Sequence, residues 1–77
     1  MKKVSIYTTP ICTYCRKAKD FFAKNNIAYE EYNVFTDSAR RDEMIRRSGQ
    51  MGVPVIDISG SLVVGYDERR LKELLGV

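Results

Sequence analysis

The sequence predicts an α/β domain in which a mixed four-stranded sheet is flanked by three helices, in the order βαβ, α, ββα. Three observations carry this expectation. Short apolar runs of strand formers alternate with segments whose apolar residues recur at helical spacing. A Ser59-Gly60 pair joins two apolar runs closely enough to make a hairpin. The chain has 77 residues, enough for one domain with a single core that every element must share.

Val4-Ser5-Ile6-Tyr7 reads as the first strand, short and partly alternating. Thr8 to Ile11 follows as a loop, because Pro10 has no amide hydrogen to give a ladder. From Thr13 to Lys24 the apolar residues Tyr14, Ala18, Phe21 and Phe22 share one helical face. Arg16, Lys17, Lys19, Asp20 and Lys24 lie mostly off that face, and Asn25-Asn26 ends the helix. Ala28 to Val34 is expected as a second strand, carrying Tyr29, Tyr32 and Val34 among acidic residues. Asp37 is placed to N-cap a second helix that ends before Gly49, a residue suited to the position after a helix. Its thin apolar content, Ala39, Met44 and Ile45, predicts packing along a narrow edge. Val53 to Ile58 reads as a third strand interrupted near its start by Pro54, and Leu62-Val63-Val64 returns as a fourth. Asp67 N-caps the last helix, where Leu71, Leu74 and Leu75 share a face before Gly76. The first βαβ unit calls for parallel strands joined by a right-handed crossover, and the hairpin adds an antiparallel partner. No internal repeat, linker or low-complexity segment interrupts residues 1–77, a single domain.

Composition narrows the function classes. The chain is 44% hydrophobic and 30% charged, ordinary for a soluble globular protein. Thirteen Lys and Arg stand against ten Asp and Glu for a net charge of +3, interspersed along the chain, which does not predict a nucleic-acid surface. The apolar runs are too short to span a membrane. Met1-Lys2-Lys3 leads into a strand pattern without the apolar region of a secretory signal. A cytoplasmic monomer is therefore expected. In a reducing compartment a close cysteine pair is more often catalytic or metal-binding than structural, and one bridge closing so short a ring constrains little.

Both cysteines lie in Tyr7-Thr8-Thr9-Pro10-Ile11-Cys12-Thr13-Tyr14-Cys15, where a strand gives way to a helix. A thiol at a helix N-terminus meets unpaired amides and the positive end of the helix dipole, which favour the thiolate. Cys12 is expected at or just before the first turn, with modest help from Arg16, Lys17 and Lys19. Cys15, one turn further in, shares the inner side with Ala18 and Phe22. That asymmetry assigns roles: Cys12 attacks a disulfide and Cys15 resolves the mixed disulfide. The absence of His weighs against a Cys–His protease but not against thiol–disulfide exchange, where the thiolate is itself the nucleophile. Structural zinc wants four ligands, and the chain has neither a third Cys nor a His. Two incidental buried cysteines are the plain alternative.

Three further features each carry two readings. Pro54 marks a sheet edge, or a cis Val53-Pro54 bond turns the Val53 backbone outward for a passing peptide. Gly65-Tyr66-Asp67-Glu68 is a loop and N-cap, or the same helix N-terminus receives a substrate carboxylate. Tyr14 is an exposed aromatic wall for substrates, or part of the apolar face.

Taken together, Cys12-Thr13-Tyr14-Cys15, Ser48-Gly49-Gln50-Met51-Gly52-Val53-Pro54 and Val64-Gly65-Tyr66-Asp67-Glu68 resemble the glutaredoxin family of the thioredoxin-like fold, over essentially the whole chain. The resemblance implies that Cys12 is the nucleophile and Pro54 is cis. It implies that Val53 pairs through its backbone with the cysteinyl part of glutathione. Gly65, Tyr66 and Asp67 are then expected to hold the γ-glutamyl end, with Tyr14 against the ligand. Three positions depart from the family pattern. Thr13 replaces the usual Pro between the cysteines, and Val64-Gly65 replaces a glycine pair. Thr9 stands where a Lys or Arg commonly meets the glycine carboxylate of glutathione, leaving Gln50 to reach that end. No tightly bound cofactor is implied, with glutathione as co-substrate and protein disulfides as substrates. The short length also resembles redoxins that take electrons from thioredoxin reductase and serve ribonucleotide reductase. Some family members instead bridge an iron–sulfur cluster through the first cysteine and glutathione.

Overall fold

The computed structural model describes residues 2–77. Its elements are β1 (Val4–Thr8), α1 (Thr13–Lys24), β2 (Glu30–Asn33), α2 (Ser38–Ser48), β3 (Val55–Ile58), β4 (Ser61–Val64) and α3 (Glu68–Leu75). The strands lie in the order β2-β1-β3-β4. β1 runs parallel to β2, in register from Ser5 opposite Glu30 to Thr8 opposite Asn33. It runs antiparallel to β3, which pairs antiparallel with β4. The mixed four-stranded sheet and three helices predicted from the sequence are both present.

The period-two alternation of β1 splits the core into two layers. Val4 and Ile6 point to one face, where they meet Ala18, Phe21 and Phe22 of α1 and Leu71 of α3. Tyr7 points to the other, where it meets Val34, Val55 and Met44 of α2. The sequence-based boundaries shift in instructive places. β1 runs one residue further, to Thr8, because the Thr8 carbonyl takes the Val34 amide at 2.9 Å. β2 contracts to Glu30–Asn33. Tyr29 instead packs its ring on Phe22, with centroids 5.1 Å apart, and Val34 turns into the α2 layer. β3 starts after Pro54, which forms a cis bond with Val53 and stays outside the ladder. Ala39 is exposed, so α2 seats on the sheet through Met44 and Ile45.

The helix stops work as the local chemistry suggests. Asn25 donates its side-chain amide to the Phe21 carbonyl at 2.9 Å, and Asn26 takes a left-handed φ of 56°. Asp37 caps α2 by accepting the Arg40 amide at 3.1 Å, and Gly49 closes it at φ 72°. No helix among the described residues is long and apolar enough to cross a membrane.

Candidate active site

The loop after β1 delivers Cys12 to the N-cap of α1, with extended backbone (φ −92°, ψ 114°). A cap residue normally offers a side-chain oxygen to the first free helical amides. Here the Cys12 sulfur does so, accepting the Cys15 N–H at 3.3 Å. The helix carries no acidic residue in its first turn, so nothing there competes with a thiolate for the positive end of the dipole. Cys12 is partly exposed, at the side of a hollow of about 210 Å³ lined by Pro10, Ile11, Thr13 and Arg16. Neither cysteine is bonded to the other in this structure.

Cys15 sits one turn further in and is only 1% exposed. Burial pushes its thiol up to about 12, and the hydrogen bond with Cys12 adds to that. A backbone hydrogen bond from Thr9 and the charge of Lys19 pull the other way.

The fold brings the three distant stretches together through backbone contacts. The Cys12 thiol points at the Val53 carbonyl, 3.6 Å away. The neighbouring Pro54 carbonyl accepts the Gly65 amide at 2.8 Å, which ties the start of the α3 loop to the same segment. Gly65 holds φ 85°, a left-handed conformation that side-chain-bearing residues rarely adopt. Asp67 N-caps α3, accepting the Arg70 amide at 3.1 Å. Tyr66 is half-buried, its ring edge-on to Phe21 at 6.5 Å, so this residue is partly core.

Other expected positions land differently. Tyr14 does not join the apolar face of α1; it is 57% exposed, with the Lys17 ammonium over its ring at 5.1 Å. The buried face is made by Cys15, Ala18, Phe21 and Phe22. Gln50 closes its amide on its own loop, accepting the Gly52 N–H at 2.6 Å and donating to the Gly52 carbonyl at 3.0 Å and Ser48 Oγ at 3.2 Å. Thr9 accepts the Cys12 amide through its carbonyl at 3.5 Å. Of the three cations named for Cys12, Arg16 lines its hollow, Lys17 lies over Tyr14, and Lys19 turns to Glu31 at 2.9 Å. Two exposed apolar side chains next to the site residues escaped the sequence reading. Ile11 immediately precedes Cys12 at 90% exposure, and Met51 stands two residues before Val53 at 72%. Apolar type alone gives no signal of exposure, which depends on where loops fall.

Comparison with known proteins agrees with this arrangement. The glutaredoxin family model matches residues 4–63. A glutaredoxin-like 8.6 kDa protein of the rubredoxin operon of Clostridium pasteurianum is 39% identical over 72 residues, covering 94% of this chain and 96% of that one. Glutaredoxin 3 of Escherichia coli strain K12 is 37% identical over 68 residues, 88% of this chain and 82% of that protein. Among solved structures, the thioredoxin-like protein BC3987 superposes with a TM-score of 0.88 at 35% identity, over 94% of this chain and 99% of that one. The glutaredoxin grx-1 of Archaeoglobus fulgidus does so at 0.87 and 25% identity, over 97% and 87%. A cysteine pair at the mouth of α1, a sheet of order β2-β1-β3-β4 and these relatives agree: the chain belongs to the glutaredoxin family and is a thiol redox protein of thioredoxin-like fold.

Proposed function

We propose that this chain is a dithiol oxidoreductase that reduces protein disulfides or glutathione mixed disulfides, as a monomer in the cytoplasm. The observation that carries the reading is the unequal setting of the two sulfurs. Cys12 is accessible and held by the helix N-terminus, while Cys15 is buried with its proton retained.

The exchange then runs in two halves. The Cys12 thiolate attacks one sulfur of the substrate disulfide; a mixed disulfide forms and the first substrate thiolate leaves, taking a proton. Cys15 then loses its proton and attacks Cys12 Sγ. The Cys12–Cys15 bond forms, the second substrate thiol leaves, and two electrons have passed from the dithiol to the substrate. In the free protein the Val53 carbonyl receives the Cys12 thiol. Once Cys12 is bonded to a substrate cysteine, that carbonyl is free to take the substrate's backbone N–H, which orients the disulfide. Pro54 fixes this backbone, and Gly65, Tyr66 and Asp67 receive the γ-glutamyl end when the substrate carries glutathione. Tyr14 offers an exposed ring beside it.

The electron donor is glutathione or a flavoprotein thioredoxin reductase. Thr9 supports the second, since no cation stands there for the glycine carboxylate, and exposed Ile11, Tyr14 and Met51 offer apolar area to a protein. Turnover with glutathione plus its reductase, compared with turnover on thioredoxin reductase, decides between the donors; activity with neither sinks the enzyme reading. Cys12→Ser is expected to abolish disulfide reduction, and Cys15→Ser to leave a mixed disulfide that mass spectrometry traps. Reactivity kept by Cys12→Ser and lost by Cys15→Ser would reverse the two roles.

A further inference from the structure

Lys19 lies one helical turn beyond Cys15 on α1, on the side that reaches β2. Positions four apart on a helix bring their Cβ atoms to about 6 Å. The Lys19 ammonium donates to Glu31 Oε2 at 2.9 Å, and the same oxygen accepts the Thr8 hydroxyl at 2.8 Å. Thr8 is buried, so this chain of three is anchored in the core directly before the loop that carries Cys12. Only 32% of the Lys19 side chain is exposed. The cation is therefore held on Glu31, one helical turn from the buried thiol, instead of moving freely in solvent. The charged and titratable groups acting on Cys15 are Cys12 at the N-cap of α1 and Lys19 on α1, and Lys19 in turn faces Glu31 on β2 and Tyr29 just before it. Thr8, Thr9, Val53, Pro54 and Val55 have no titratable side chain. The charge of Lys19 acts on Cys15 against the effect of burial, and Cys15 acts in turn on Lys19.

We infer that the Thr8–Glu31–Lys19 chain holds a cation one helical turn from Cys15 and thereby sets the rate of the second, resolving half of the exchange. This rests on the dithiol reading above. In that half Cys15 gives up its proton and its thiolate attacks the mixed disulfide at Cys12; the Cys12–Cys15 bond forms, the Cys12–substrate bond breaks, and the proton ends on the departing thiolate. The negative charge appears first on a buried sulfur, where water stabilises it least. A fixed ammonium nearby lowers the cost of that moment. Lys19 is thus a positioning residue for Cys15, and Glu31 and Thr8 position Lys19.

The test uses the reduced full-length protein and dithiobis(nitrobenzoate) in a stopped-flow spectrometer. Two equivalents of thionitrobenzoate are released in succession, the first by attack of Cys12 and the second by attack of Cys15. In Lys19→Met and Lys19→Gln the second release should slow about fivefold relative to the first, the size expected of one partly solvated charge near a thiolate. Lys19→Arg, which keeps the charge and the Glu31 partner, should restore it. The pH at which the second phase reaches a given rate should rise in the neutral variants and not in Lys19→Arg. An unchanged ratio of the two phases in Lys19→Met, or slowing in Lys19→Arg equal to that in Lys19→Met, overturns the proposal while leaving the dithiol reading standing. Release of a single equivalent by the wild type overturns both.

Discussion

Cys15 holds its proton because its sulfur has almost no water around it, and this has two measurable consequences. With the thiol pushed up to about 12, Cys15 stays protonated across the neutral range. Iodoacetamide at about pH 8 should therefore add once to the reduced native protein, on Cys12, as read by peptide mass spectrometry; a native protein modified at both cysteines would contradict the buried setting. The second consequence concerns stability. A folded value raised above the ordinary 9.0 means that the native state keeps a proton that the unfolded chain releases. The stability this contributes is complete below about pH 9 and is lost progressively as pH rises toward 12. At about pH 10.5 the loss is on the order of 2 kcal/mol. Tyr7, also raised by burial, falls in the same direction, so the comparison must be internal. Reduced wild type should lose more stability between pH 9 and 10.5 than reduced Cys15→Ala does, measured by urea unfolding. Equal losses would show that Cys15 does not titrate in this way.

At the scale of elements, the helix ends were legible because their signals are local. Asp37, Asp67, Gly49 and Gly76 each act within a few residues of where they stand, and each occupies the cap the sequence suggests. The pairing of distant side chains was not legible in the same way. Tyr7 on β1 donates to Glu43 on α2 at 2.5 Å and accepts from Arg47 at 3.1 Å, while Arg47 also reaches Asp57 on β3 at 3.0 Å. None of these residues announces the others along the chain; the sheet order and the packing of α2 bring them together. They wall a polar cleft of about 340 Å³ on the face away from α1. Asp67 shows how the two kinds of information combine, since it is both the cap of α3 and the residue proposed to meet the γ-glutamyl end of a substrate. Asp67→Ala should cost about 1 kcal/mol of stability through loss of the cap, whereas Asp67→Asn should cost only a few tenths, because Asn caps as well as Asp. Both should raise the KM for a glutathione mixed disulfide. If Asp67→Asn leaves that KM unchanged, the carboxylate serves the helix alone.

At the scale of the whole molecule, the catalytic arrangement depends on how a small core seats α1. The order of the elements was readable from hydrophobic period, and the site's cysteines from their spacing and their place at a strand-to-helix junction. What period and spacing do not carry is exposure at loop tips, as Ile11, Met51 and the outward-turned Tyr14 show. Phe22 makes the dependence testable. It is fully buried, packs edge-on to Phe21 at 5.9 Å and against Tyr29, and belongs to the layer that joins α1 and α3 to the sheet. A domain of this length has a total stability of about 4–11 kcal/mol, and truncating a buried Phe to Ala costs about 3–5 kcal/mol. Phe22→Ala should therefore fold marginally, with a urea midpoint far below that of the wild type. Met44→Ala, on the smaller layer under α2, should cost about 2–4 kcal/mol. The two variants should differ at the thiols as well. When α1 loosens, Cys15 loses the packing that holds its proton, so Phe22→Ala should take up a second iodoacetamide under conditions where Met44→Ala takes up one. Equal labelling of the two variants, both still folded, would show that the seal over Cys15 does not depend on Phe22.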